Sequence, residues 1–91
     1  MLNEVLHKKI LKFIRRYRRV NAANCYSKEM DRRFAQILQD RFSDAEGVLV
    51  YDAKHKHFGC MIGDYVYDIN GDVSEGYNWV LWNIYDKEEI K

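Results

Sequence analysis

Three residues of this 91-residue chain have the types and order that thiol chemistry uses. Cys25 lies in "NAANCYSKEM", and His57 and Asp68 lie in "HKHFGCMIGDYVYDING", residues 55 to 71. A free thiol is mostly protonated at neutral pH. A nearby imidazole and a helix N-terminus both favour the thiolate, which is the nucleophile. A carboxylate or amide then holds the imidazole in one orientation while it exchanges the proton. Cys25 sits just ahead of a helical pattern, so the helix end can act on it, and its own backbone N–H can serve an oxyanion.

The elements that must position these groups follow from periodicity. Leu2, Leu6, Ile10, Phe13, Tyr17 and Val20 recur at helical spacing, with Lys8, Lys12, Arg15, Arg16 and Arg19 opposite. This predicts an amphipathic helix over about residues 2–19. A second helix, with Tyr26, Met30, Phe34, Ile37 and Leu38 as its stripe, continues to about Phe42. Then come "VLVYD", "HFGCMI" and "YVYDI", rich in β-branched and aromatic residues and bounded by turn residues. "YNWVLWNIY" reads as a fourth strand, with a short helix as the alternative. The expected fold is a single α+β domain over 1–91, two N-terminal helices packed on a small antiparallel sheet of three to four strands.

Gly63-Asp64 fits a two-residue hairpin turn with glycine first. That turn would pair Ile62 with Tyr65, Cys60 with Tyr67 and Phe58 with Ile69 on one face. Strand alternation then puts Met61 with Val66, Gly59 with Asp68 and His57 with Asn70 on the other. His57 and Asp68 become diagonal neighbours, Gly59 leaves space over the strand, and Asn70 is a reserve partner for the imidazole. A slip of one residue would separate the pair.

The order of a cysteine at a helix start, a histidine on a strand and an acid on the next strand resembles the papain-like and transglutaminase-like superfamily of cysteine hydrolases. "NCY" resembles its nucleophile motif, "HF" at 57–58 its histidine strand, and "GDYVYDING" the strand bearing the acid. The resemblance implies a minimal member, of phage type or inactive. An active one would cut or transfer a peptide, isopeptide or amide bond through a thioester, with Cys25 as nucleophile, His57 as base and Asp68 as orienter. No glutamine precedes Cys25, so Asn21 or Asn24 would be the side-chain donor to an oxyanion.

Each of these residues also has a plainer reading. Cys25 can be a small apolar residue at a helix entrance, and His57 a structural histidine. Cys60 falls with Phe58 and Ile62 and reads as core. His55 reads as a solvated turn residue. The chain holds no cofactor motif. "DINGDVSE" alternates Asp68, Asn70 and Asp72, but Trp79 stands where a calcium loop needs glutamate. Two cysteines are too few for a disulfide scaffold and fit a reducing, cytoplasmic setting. No apolar run approaches the length of a membrane span.

Net charge is +1 but unevenly spread. Residues 1–20 carry seven Lys/Arg and one Glu, whereas residues 44–91 carry four Lys and ten Asp/Glu. The second functional reading is therefore a non-enzymatic inhibitor or adaptor that binds a partner through the basic helix, at Arg15, Arg16 and Arg19, or through the acidic sheet region. A protein partner is favoured, nucleic acid is the lesser candidate, and the basic face also reads simply as the solvated side of a helix.

Overall fold

A computed structural model describes residues 4–21 and 28–82. Helix α1 spans Glu4–Val20 and α2 spans Lys28–Arg41, followed by a single 3₁₀ turn at Ser43–Ala45. Strands β1 (Val48–Asp52), β2 (His57–Ile62), β3 (Tyr65–Asp68), β4 (Gly71–Asp72) and β5 (Val80–Leu81) form one antiparallel sheet in the order β4-β3-β2-β1-β5. The α+β architecture is the expected one, with five strands in place of three to four.

The central hairpin has the expected register: Cys60 pairs with Tyr67, Met61 with Val66 and Ile62 with Tyr65. Gly63 has φ +63°, which an L side chain resists and glycine accepts, so the two-residue turn is fixed locally. Pairing with β2 stops sooner than the sequence suggests. The chain turns at Ile69-Asn70, and Asp68 pairs with Gly71 to start β4. Asn70 is thereby carried away from its expected place opposite His57.

The helices cover one face of the sheet. Ile10 and Ile14 of α1 and Phe34, Ala35 and Leu38 of α2 bury against Cys60, Ile62, Tyr67 and Ile69. Tyr67 is fully buried, and its hydroxyl makes a 2.6 Å hydrogen bond with His7 Nδ1, which ties α1 to β3. Val20, expected in the stripe, is 80% exposed, because α1 runs past the edge of the core.

The opposite face carries Val48, Val50 and Asp52 of β1, His57, Gly59 and Met61 of β2, and Val66 and Asp68 of β3. No helix covers it. Residues 73–79 cross it instead, running from β4 at one edge to β5 at the other. The strap is pinned by Val73 N–H to the Val66 carbonyl (2.8 Å), by Ser74 Oγ accepting from Val66 N–H (2.9 Å), and by Asn78 N–H to Asp52 Oδ2 (2.9 Å). Trp79 donates its indole N–H to the Val73 carbonyl at 2.9 Å. The space over Gly59 is thus filled rather than open: a Cβ there would lie 2.7 Å from Val66 Cγ1 and 3.2 Å from the Trp79 ring. The expected fourth strand over 77–85 reduces to Val80–Leu81 among the described residues, because Tyr77, Asn78 and Trp79 belong to the strap.

Candidate active site

His57 opens β2 and is held from two directions. Its Nε2 lies 2.7 Å from Asp68 Oδ2 on β3, the pairing that the hairpin register predicts. Its Nδ1 lies 3.1 Å from Oδ2 of Asp31, the fourth residue of α2. Asp31 Oδ2 also accepts the Phe58 backbone N–H at 3.2 Å, so one carboxylate fastens the start of the helix to the start of the strand. Asp68 in turn accepts the Asn70 backbone N–H at 2.7 Å. The contribution of Asn70 is therefore its main chain, bound to the acid, and not a side chain on the imidazole.

The chemistry of this clamp follows from donor counting. A neutral imidazole has one N–H and can satisfy one carboxylate, whereas the imidazolium has two and satisfies both. Asp68 is 3% exposed in its side chain and Asp31 14%, so both oxygens face the ring with little water to replace it. The hydrogen bond to Asp68 raises the His57 pKa above its ordinary value. Burial opposes the rise, and the charges of Asp68 and Asp31 add to it. Tyr77 of the strap stacks on the ring at 5.5 Å between centroids, and Trp79 lies at 5.9 Å.

A second buried carboxylate sits beside the clamp, since Asp52 is the cross-strand partner of His57. Asp52 accepts the backbone N–H groups of His55 (3.0 Å) and Asn78 (2.9 Å) and contacts His55 Nδ1 at 3.1 Å. Burial alone would raise its pKa, but the hydrogen bonds outweigh burial and hold the carboxyl at about 2. His55, expected to be simply solvated, has one side on this carboxylate.

The other expected site residues fall elsewhere. Cys25 and Asn24 lie outside the described residues. Asn21 does not face His57: its Nδ2 donates to the Tyr17 carbonyl at 3.1 Å, closing the end of α1. Cys60 is core, and burial pushes its thiol up to about 12, which leaves it unreactive. Arg15, Arg16 and Arg19 are all exposed on α1. Sequence reasoning missed Asp31 altogether. The one available signal was its type: an acid in the first turn of a helix that begins close to the candidate nucleophile. Among the described residues no group of three or more His, Cys, Asp or Glu side chains could hold a metal ion, and no helix is long and apolar enough to cross a membrane.

The comparisons with known proteins return no match: no family model, no curated protein and no solved structure.

Proposed function

We propose that the chain is a small cytoplasmic cysteine hydrolase or acyltransferase acting on an amide, peptide or isopeptide bond of a protein or peptide. The observation that carries this reading is the placement of His57. Asp68 fixes its Nε2, and its Nδ1 faces the first turn of α2. Cys25 precedes Lys28, the first residue of that helix, by three positions. Three residues span at most about 11 Å, and the reading requires the sulfur to approach from the side that Nδ1 faces.

In the reaction, the Cys25 sulfur takes the place of Asp31 at Nδ1, giving a thiolate and an imidazolium. The thiolate attacks the carbonyl carbon, and the C–N bond breaks as Nδ1–H passes its proton to the leaving nitrogen. The products of this half are a thioester and an amine. Water, or an acceptor amine, then gives its proton to Nδ1 and attacks the thioester. Its collapse returns the thiol and releases the acid or the new amide. Asp68 keeps the ring oriented by accepting Nε2–H throughout. The Cys25 N–H, with Asn24 beside it, serves the oxyanion.

Alkylation by iodoacetamide with adduct mapping tests the reading. Cys25 should react at least about tenfold faster than an unstructured thiol at the same pH. His57→Ala should remove the acceleration, and Asp31→Asn, which removes the competing carboxylate charge, should preserve or increase it. A Cys25 no more reactive than a free thiol, and indifferent to His57→Ala, would sink the proposal.

A further inference from the structure

A concavity lies away from His57, between the second half of α1, the end of α2 and the 3₁₀ turn, with a volume of about 840 Å³. Asp31 and Arg41 are ten positions apart on α2, which separates the groove from the clamp by about 15 Å. Its floor is apolar and aromatic. Phe13 and Phe42 meet edge to face at 5.7 Å, and Tyr17, Leu6 and Ala45 extend the surface. Its rim is cationic: Lys9, Lys12, Arg16 and Arg41 stand around it, with Asp44 the single acid among the described residues. None of the four cations forms a salt bridge with another described side chain. The Arg41 guanidinium lies 5.1 Å from the centroid of Phe42 and 5.7 Å from that of Phe13.

We infer that this groove binds an acidic peptide segment of a protein partner, with one large apolar side chain seated on the Phe13–Phe42 floor and carboxylates on the surrounding cations. Two features select this occupant. An apolar floor gains from burial of an apolar side chain, whereas a phosphate backbone gains nothing there. A nucleic acid uses open ring faces for stacking; here the two rings are perpendicular and Arg41 lies against both. Arg41 is placed instead to take a carboxylate bidentately while it rests on the rings. Of the three arginines expected to meet a partner, Arg16 lines the groove, and Arg15 and Arg19 do not.

Selection from a displayed library of short random peptides, followed by fluorescence anisotropy on the enriched sequences, tests the inference. Enriched peptides should combine Asp or Glu with a Leu, Phe or Trp. Replacing that residue by Ser, or reversing charge with Arg16→Glu and Arg41→Glu, should each weaken binding at least about tenfold, equivalent to about 1.4 kcal/mol. Reversal at Arg15 and Arg19 should change it less than about threefold at moderate salt, where charges off the site are screened. Circular dichroism of the variants checks that the fold is kept. Absence of acidic enrichment, equal sensitivity to both pairs of reversals, or displacement of the peptide by oligo-dT at comparable concentration would overturn the inference.

Discussion

The two faces of the sheet are closed by opposite means. The helix side is apolar apart from the hydrogen bond between His7 and the Tyr67 hydroxyl, with Ile10, Ile14, Phe34 and Leu38 packed on Cys60, Ile62 and Tyr67. The strap side buries two carboxylates, Asp52 and Asp68, each 2% exposed or less, and satisfies them with backbone N–H groups and histidine nitrogens. Packing energy scales with area and is indifferent to pH. A buried carboxylate is stable only while its donors are in place. The helix side therefore supplies the bulk of the stability, and the strap side holds the groups whose charge can change.

The largest expected effect is on the helix side. Phe34→Ala removes a fully buried ring and should cost about 3–5 kcal/mol. Urea unfolding would show this as a lowered midpoint, with no new dependence on pH between neutral and mildly alkaline conditions. If the loss itself varied with pH over that range, the two faces would not be energetically separate.

Asp68→Ala should cost about 3 kcal/mol, because it leaves His57 with a single carboxylate partner in a partly buried setting and strands the Asn70 N–H. NMR titration should show the His57 pKa falling, since its largest raising influence is gone. An unchanged titration would mean that Asp31 alone sets the charge of the ring.

Gly59→Ala sharpens the comparison at a point where the strap face is tight. The added methyl must displace Val66 or the Trp79 ring, and should cost about 1–3 kcal/mol. The fluorescence of Trp79 should move toward that of an exposed indole. A neutral substitution would mean that the strap lifts without cost.

The smallest effects are those of pH. The folded pKa of His57 is raised, so its stabilisation is complete below the ordinary histidine value of 6.5 and is lost as pH rises through the folded value. Asp52 is lowered from 3.8 to about 2, so its stabilisation is complete above 3.8 and is lost as pH falls toward 2. Urea midpoints should decline at both ends. His57→Gln should abolish the decline above neutrality, and Asp52→Asn should reduce the acid one. A decline above neutrality that survives His57→Gln would remove the clamp from the account.

The central hairpin was legible because a single local feature, Gly63-Asp64, fixes its register, and register fixes which side chains share a face. His57 and Asp68 were found that way. Asp31 was not, since its link to His57 spans 26 positions and comes from docking a helix on a strand, which no spacing encodes. The strap was misread for a different reason. Tyr77 and Trp79 have strand-forming composition, but the indole N–H is spent on the strap's own Val73 carbonyl, and the Asn78 N–H and the Tyr77 ring on Asp52 and His57 of the sheet face. Propensity reports what a residue tolerates and not which partner claims it.

The strap also governs how the protein meets other chains. By leaving β4 and crossing to β5, it makes the outer strands only two residues long each. An incoming extended chain needs a row of open backbone donors and acceptors to add itself to a sheet. At either border of this one it would find a rung or two before the backbone turns away. The segment that covers His57 thus also shortens both outer strands that the described residues form.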